Sequence, residues 1–185
     1  MKSDPREDRH VAHRGHAPRT PHENFYAGLV QVHGELRQAS AQILAGASAE
    51  RGNHTSVNRR IRAFVEELEN HHRSEDVFFF PAFRAAGRLR STDIAFLDAR
   101  DDEHVVIVRL AEELQALTER TRSNWAASVR SLITELGQVA DAHFAAEEQV
   151  LTPRHLAEMI TQGQLVDVYR EMGQNWNRST PYRLR

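Results

Sequence analysis

Six residues have types and spacing that could build a metal site: His33, His71 with Glu75, His104, and His143 with Glu147. Residues four apart on a helix lie one above the other on the same face, so each HxxxE pair would present an imidazole and a carboxylate together. Imidazole and carboxylate without thiolate suit iron, manganese or zinc. The chain has no cysteine, which removes thiolate zinc sites, iron–sulfur clusters, disulfides and thiol nucleophiles.

One such pair means little in a chain with 11 histidines and 26 acids, where roughly one or two arise by chance. Their arrangement means more. "HHRSEDVFFFP" and "HFAAEEQVLTP" superimpose without a gap, matching His71 with His143, Glu75 with Glu147, Asp76 with Glu148, Phe79 with Leu151 and Pro81 with Pro153. His33 precedes His71 by 38 residues and His104 precedes His143 by 39. The chain reads as two helical hairpins of one design.

Those residues need rods to carry them. Thr20, Pro21 and Glu23 ("TPHE") form a helix start with N-cap, N1 proline and capping-box acid. Phe25, Leu29, Val32, His33, Leu36 and Ile43 then recur at helical spacing until "AGASAERGN" breaks the pattern. A second helix from Ser56 to the mid-80s carries Val57, Ile61, Phe64, Leu68, His71, Glu75 and Phe78 on one seam. A third carries Ile94, Leu97, His104, Ile107, Ala111 and Leu114. After "TRSN", with Ser123 as N-cap, a fourth carries Trp125, Val129, Leu132, Leu136, Val139, His143, Glu147 and Val150. Thr152 and Pro153 close it and open a short fifth helix interrupted near Gly163. The pattern predicts an all-α fold: an up-down-up-down antiparallel four-helix bundle with a short C-terminal helical extension. The expected division is a flexible tail over 1–19, the bundle over 20–153, and a C-terminal helix and tail over 154–185.

Each of the four seams holds one histidine, and counting along the helices at 1.5 Å per residue brings all four to mid-bundle. Neighbouring buried carboxylates repel, and imidazoles make poor apolar filler. Divalent cations remove both objections. The symmetry predicts two ions, each taking two histidines from one hairpin, with Glu75 and Glu147 bridging them.

With 185 residues and 40% hydrophobic content, the chain supports one core with tails. A formal net charge of −2 provides no field for nucleic acid or anionic membrane. No stretch reads as a signal peptide or a bilayer span, so a cytoplasmic location is expected.

The pattern H, HxxxE, H, HxxxE over about residues 20 to 153 resembles the hemerythrin family, specifically its HHE cation-binding domains. The resemblance implies a non-haem centre of two iron ions, oxo- or hydroxo-bridged, that binds or senses dioxygen, peroxide or nitric oxide. An oxidase- or peroxidase-type enzyme, or a metal-storage or interaction protein, is the alternative. The sequence departs from oxygen-carrying hemerythrins on the third helix, where Arg100 and Val108 stand in the places of a further histidine. Either one metal keeps an open position or another residue supplies the ligand. Tyr26 reads as a core tyrosine, and Asp101 as a partner orienting His104. His72 lies off the seam, so His71 rather than His72 is assigned as ligand, although His72 and Asp76 share the same spacing. His10, His13, His16 and His22 are assigned to a solvated tail, and His155 to a cap or solvent. Leu29, Leu36, Phe78, Ile107, Val108 and Val150 are expected to line the site.

Overall fold

A computed structural model of the chain describes residues 19–49, 54–119 and 124–176, and every regular element among them is helical. Helix α1 (Pro21–Ser48) starts at the expected capping box: the Thr20 hydroxyl accepts from the Glu23 N–H at 3.3 Å while the Glu23 carboxylate accepts from the Thr20 N–H at 2.7 Å. Helix α2 covers His54–Ser74, and α3 Phe80–Ala85. Between them, Glu75–Phe79 is a π-helical turn, closed by the Phe80 N–H donating to the Glu75 carbonyl. The sequence predicts one unbroken helix here, and Pro81 explains the difference. Proline has no N–H, and its ring crowds the carbonyl four residues back, so the turn before it widens.

Gly87, at φ 67°, reverses the chain after α3, a left-handed conformation that glycine adopts without a Cβ penalty. Helices α4 (Ser91–Ala116) and α5 (Trp125–Val150) follow, the former ending in a single 3₁₀ turn. Helix α1 packs on α2 and α5, and α4 packs on the same two. Residue numbers run in opposite senses across these contacts. From α1 to α5, His33 meets Glu148 and Ala47 meets Arg130; Asp76 meets His104, and Asn58 meets Thr118 beyond the end of α4.

The apolar interior is divided. One cluster includes Leu36, Ile61, Leu68, Ile107, Leu136 and Phe144; the other includes Phe25, Leu29, Phe80, Leu97, Leu151 and Leu156. His33, His71, Glu75, His104 and Glu147 lie between the two clusters along their helices, and His143 lies beside Phe144 at the edge of the first. A polar layer therefore cuts through the core.

The expected seams need three adjustments. Ile94 is 45% exposed, and Leu132, Val139 and Val150 are only half-buried. On α5 the buried positions are instead Ile133, Ala140 and Phe144, so its inward face is rotated slightly from the predicted stripe. His22 belongs to α1, is buried, and its Nε2 lies 2.9 Å from the Ile160 carbonyl, tying the start of α1 to the C-terminal helices.

The C-terminal extension is two helices, α6 (Pro153–Met159), capped by Thr152, and α7 (Gln162–Asn175), capped by Thr161. The break falls at Ile160, whose extended backbone (φ −143°) stops α6, and Gly163 lies inside α7. Leu156, Met159, Ile160, Leu165 and Val168 join the second core cluster, so these helices share the core of the long ones. The Ser123 cap, the "ERGN" part of the first break, His10, His13, His16 and nearly all of the two tails lie outside the described residues. No helix among the described residues is long and apolar enough to cross a membrane.

Asp93 pins the start of α4. Its carboxylate accepts from the Arg90 backbone N–H at 2.8 Å and from the Arg90 guanidinium Nε at 3.1 Å, and lies 3.0 Å from the His155 ring of α6. These hydrogen bonds outweigh burial and hold its carboxyl below the usual carboxylate range. A depressed folded value contributes stability above the unfolded pKa and loses it as pH falls through the folded one. Asp93→Asn should therefore cost about 1–2 kcal/mol at neutral pH, and the gap should close below about pH 4. Urea unfolding of both proteins at the two pH values measures it.

Candidate metal centre

The six residues singled out by spacing meet in the polar layer. His33 Nε2 lies 3.1 Å from His71 Nε2, and His104 Nε2 lies 3.1 Å from His143 Nε2. Each glutamate spans both imidazole pairs. Glu147 Oε2 is 3.3 Å from His33 Nε2 and its Oε1 is 3.3 Å from His143 Nε2. Glu75 Oε1 is 3.6 Å from His71 Nε2 and its Oε2 is 3.5 Å from His104 Nε2. His33, His104 and Glu147 are fully buried, and the rest nearly so.

The outer nitrogens decide what the inner ones can do. His33 Nδ1 donates to Glu148 at 2.9 Å, His104 Nδ1 to Asp76 at 2.7 Å, and His143 Nδ1 to Glu103 at 2.8 Å. A carboxylate can only accept, so it places the proton on Nδ1 and leaves Nε2 bare in the neutral ring. Two bare Nε2 atoms 3.1 Å apart, as in His104 and His143, cannot hydrogen-bond to each other. Their lone pairs need a cation. The outer carboxylates are themselves held: Arg37 Nη1 donates to Glu148 at 2.7 Å, and Arg100 Nη2 to Glu103 at 2.5 Å.

The charges of the layer point the same way. Both oxygens of Glu75 and of Glu147 are buried without a hydrogen bond. Burial first, then Glu147 and Asp76, pushes the Glu75 carboxyl well up. Burial also opposes the charge of Glu147, but His143 and His33 outweigh it and hold that carboxyl low. For His143, burial is outweighed by Glu147 and Glu103, so its imidazole is raised above the ordinary range. Burial pushes His71 down to about 3, only partly offset by Glu147. Without a cation, the layer thus opposes a second carboxylate charge at Glu75 and favours charge on His143. Positive charge is what this layer lacks, and the donors fit a divalent cation.

His72 is the residue that sequence reasoning set aside. Its ring is fully buried and stacks on His104 with centroids 4.2 Å apart and planes 24° from parallel. Neither ring nitrogen has a hydrogen-bond partner, and burial, followed by His104 and His71, keeps it well below the ordinary imidazole range. His72, Glu75, His104 and His143 bring ligand atoms within 4.8 Å of one another, as do His33, His71, Glu75 and Glu147. The available signals were the doubled histidine and the His72–Asp76 spacing. A strict seam excludes His72, but a polar layer that surrounds cations needs a wider inward arc than an apolar seam.

Other expectations are corrected. Asp101 pairs with Arg84 at 2.7 Å, and Asp76 rather than Asp101 holds the His104 ring. Arg100 does not stand open: its buried guanidinium donates to the His143 carbonyl at 3.3 Å as well as to Glu103. Tyr26 is half-buried and belongs to neither ligand group. Leu29, Leu36, Phe78 and Ile107 are buried, whereas Val108 is only half-buried. The rings against the site are Phe144, stacked on His33 at 4.2 Å, and Phe80, parallel to His104 at 5.8 Å.

Fold and site together define a protein whose described residues form helices around a core layer of histidine and glutamate able to hold a cation. The hemerythrin HHE cation binding domain matches residues 24–99 and 95–174, and the chain belongs to that family. Each matched segment contains one of the two HxxxE pairs. Searches of curated proteins and of solved structures found no match.

Proposed function

We propose that this chain is a non-haem di-iron protein that binds or senses dioxygen or a related small molecule, such as peroxide or nitric oxide, inside an up-down-up-down antiparallel four-helix bundle. The opposite numbering across the helix contacts supports that topology. We assign residues 20–153 to the bundle and 154–185 to a C-terminal extension. The observation that carries the reading is the pair of glutamates: each carboxylate turns one oxygen to the His33–His71 pair and the other to the His104–His143 pair. His33 and His71 would serve one ion, His104, His143 and His72 the other, and Glu75 and Glu147 both.

Bound there, iron would supply reversible electron transfer and a coordination position for a small ligand. The chain's own groups do the rest. Asp76, Glu103 and Glu148 keep three Nε2 lone pairs turned inward, and Arg37 and Arg100 hold two of those carboxylates in place. Phe144 and Phe80 keep water from the imidazoles. Manganese or zinc suits the same donors. An oxidase- or peroxidase-type enzyme is a second reading, favoured by a chamber that reaches His71 and Glu75 from the surface.

Metal analysis with anaerobic reduction and oxygen titration tests the proposal. A pair of irons per chain and a reversible oxygen-dependent absorbance change are expected. Irreversible oxidation or turnover would favour the enzyme, and freshly purified protein without iron would count against both readings. Acid should release the metal, because a protonated imidazole cannot ligate. Iron retained through gel filtration across a pH series measures this.

A further inference from the structure

A chamber of about 370 Å³ lies between α1, α2 and α7 and ends on His71 and Glu75. A water-sized molecule occupies about 30 Å³, so the chamber is roughly tenfold larger than a diatomic ligand requires. Its volume falls instead in the range of pockets that hold small organic molecules, about 300–1,000 Å³. Its walls are apolar and partly aromatic: Leu29 and Phe79 on one side, Tyr169, Met172 and Trp176 of the α7 region on the other. Trp176 is fixed there by stacking on Phe78 and by the Arg73 guanidinium, 5.1 Å above its ring.

The polar lining is one-sided. Besides His71 it offers Glu67, Asn70, Ser74 and Glu75, and no arginine or lysine. An anion entering the chamber would meet no cationic side chain, whereas a hydroxyl or amine would find acceptors. Glycine stands at Gly28 of α1 and Gly173 of α7, both in the lining, and a Cβ at either would meet no atom within 4 Å. Glycine inside a helix costs roughly 0.5–1 kcal/mol relative to alanine, and neighbouring atoms do not require it at either place. At both positions the lining is left without a side chain.

We propose that the chamber between α1, α2 and α7 binds a neutral or cationic small organic molecule with an apolar, aromatic-sized body, its hydrogen-bond donor end met by the polar wall of Glu67, Asn70 and Ser74. This names the class of molecule admitted beside the metal layer and rests on the function proposed above for the cation, though not for the chamber. Helix α7 is then the wall of a binding site, beyond its part in the core.

The test uses the full chain, metal-free and iron-loaded, with 4-ethylphenol as probe and benzoate as its anionic counterpart, followed by isothermal titration and ligand-observed NMR. The phenol should bind both forms, and in the metal-free form, where no cation stands at the end of the chamber, benzoate should bind at least about tenfold more weakly. Gly28→Leu, which places a side chain in the open space, should weaken the phenol by about tenfold or more while leaving iron content unchanged. Gly173→Leu repeats the test from the opposite wall should the first variant fold poorly. No phenol binding to the wild type, equal binding of benzoate to the metal-free form, or full affinity in both variants would overturn the proposal. Phenol binding to a protein that never loads iron would sink the di-iron reading and leave the chamber standing, so the two failures are distinguishable.

Discussion

Glu147→Ala and His71→Ala should each lose most of the bound metal while the protein remains helical. Glu147 is the residue whose two oxygens sit 3.3 Å from an imidazole on either side of the layer, so its removal takes a donor from both candidate ions. His71 loses one donor from a group of four. Changes in residues that merely orient a ligand cost about 10–100-fold in metal affinity. Loss of a shared carboxylate should exceed that, and Glu148→Ala, which frees only the His33 ring, should fall inside it. The apolar clusters on both sides of the layer are untouched by these changes, so helical content should hold. Metal analysis after dialysis, alongside circular dichroism, makes the comparison. Full iron in both Glu147→Ala and His71→Ala would remove the assignment.

What could be read from sequence depended on whether the cause was local. The Thr20–Glu23 box and the Thr152 cap involve groups three residues apart, and both occur as expected. The seams of α1 and α2 are regular because apolar burial imposes a period near 3.6 on a helix facing one core. Where the cause is long-range, pattern reading misplaced the partner. Asp101 is one turn from His104, yet the ring is held by Asp76 from another helix, because Arg84 already occupies Asp101. His22 sits three residues before a seam residue and looked like part of a polar tail, but the carbonyl that satisfies it is 138 residues away at Ile160. The π turn had a visible signal in Pro81, although proline alone does not say whether a helix ends, kinks or widens. Widening keeps Phe78, Phe79 and Phe80 all buried, which an apolar run of three on a narrow α-helical stripe would not achieve.

His72 separates a ligand from a filler, and His72→Phe distinguishes them better than alanine does. Alanine would leave a cavity beside His104, and its destabilisation would say nothing about metal. Phenylalanine keeps an aromatic ring able to stack at the 4.2 Å spacing and removes two buried nitrogens that have no partner. Each unsatisfied buried polar group costs about 1–3 kcal/mol, so the metal-free variant should be at least as stable as the wild type. The iron content separates the two roles. If His72 completes the group with Glu75, His104 and His143, the variant should keep the ion near His33 and His71 and lose the other, so that bound iron falls by about half. If His72 only fills space, iron stays complete while the metal-free protein gains stability. Thermal unfolding of the metal-free protein and metal analysis of the loaded one, on the same preparation, read both quantities. Full iron would return the second ion to His104, His143 and the two glutamates, and with it the coordination position left by Arg100 and Val108 on α4.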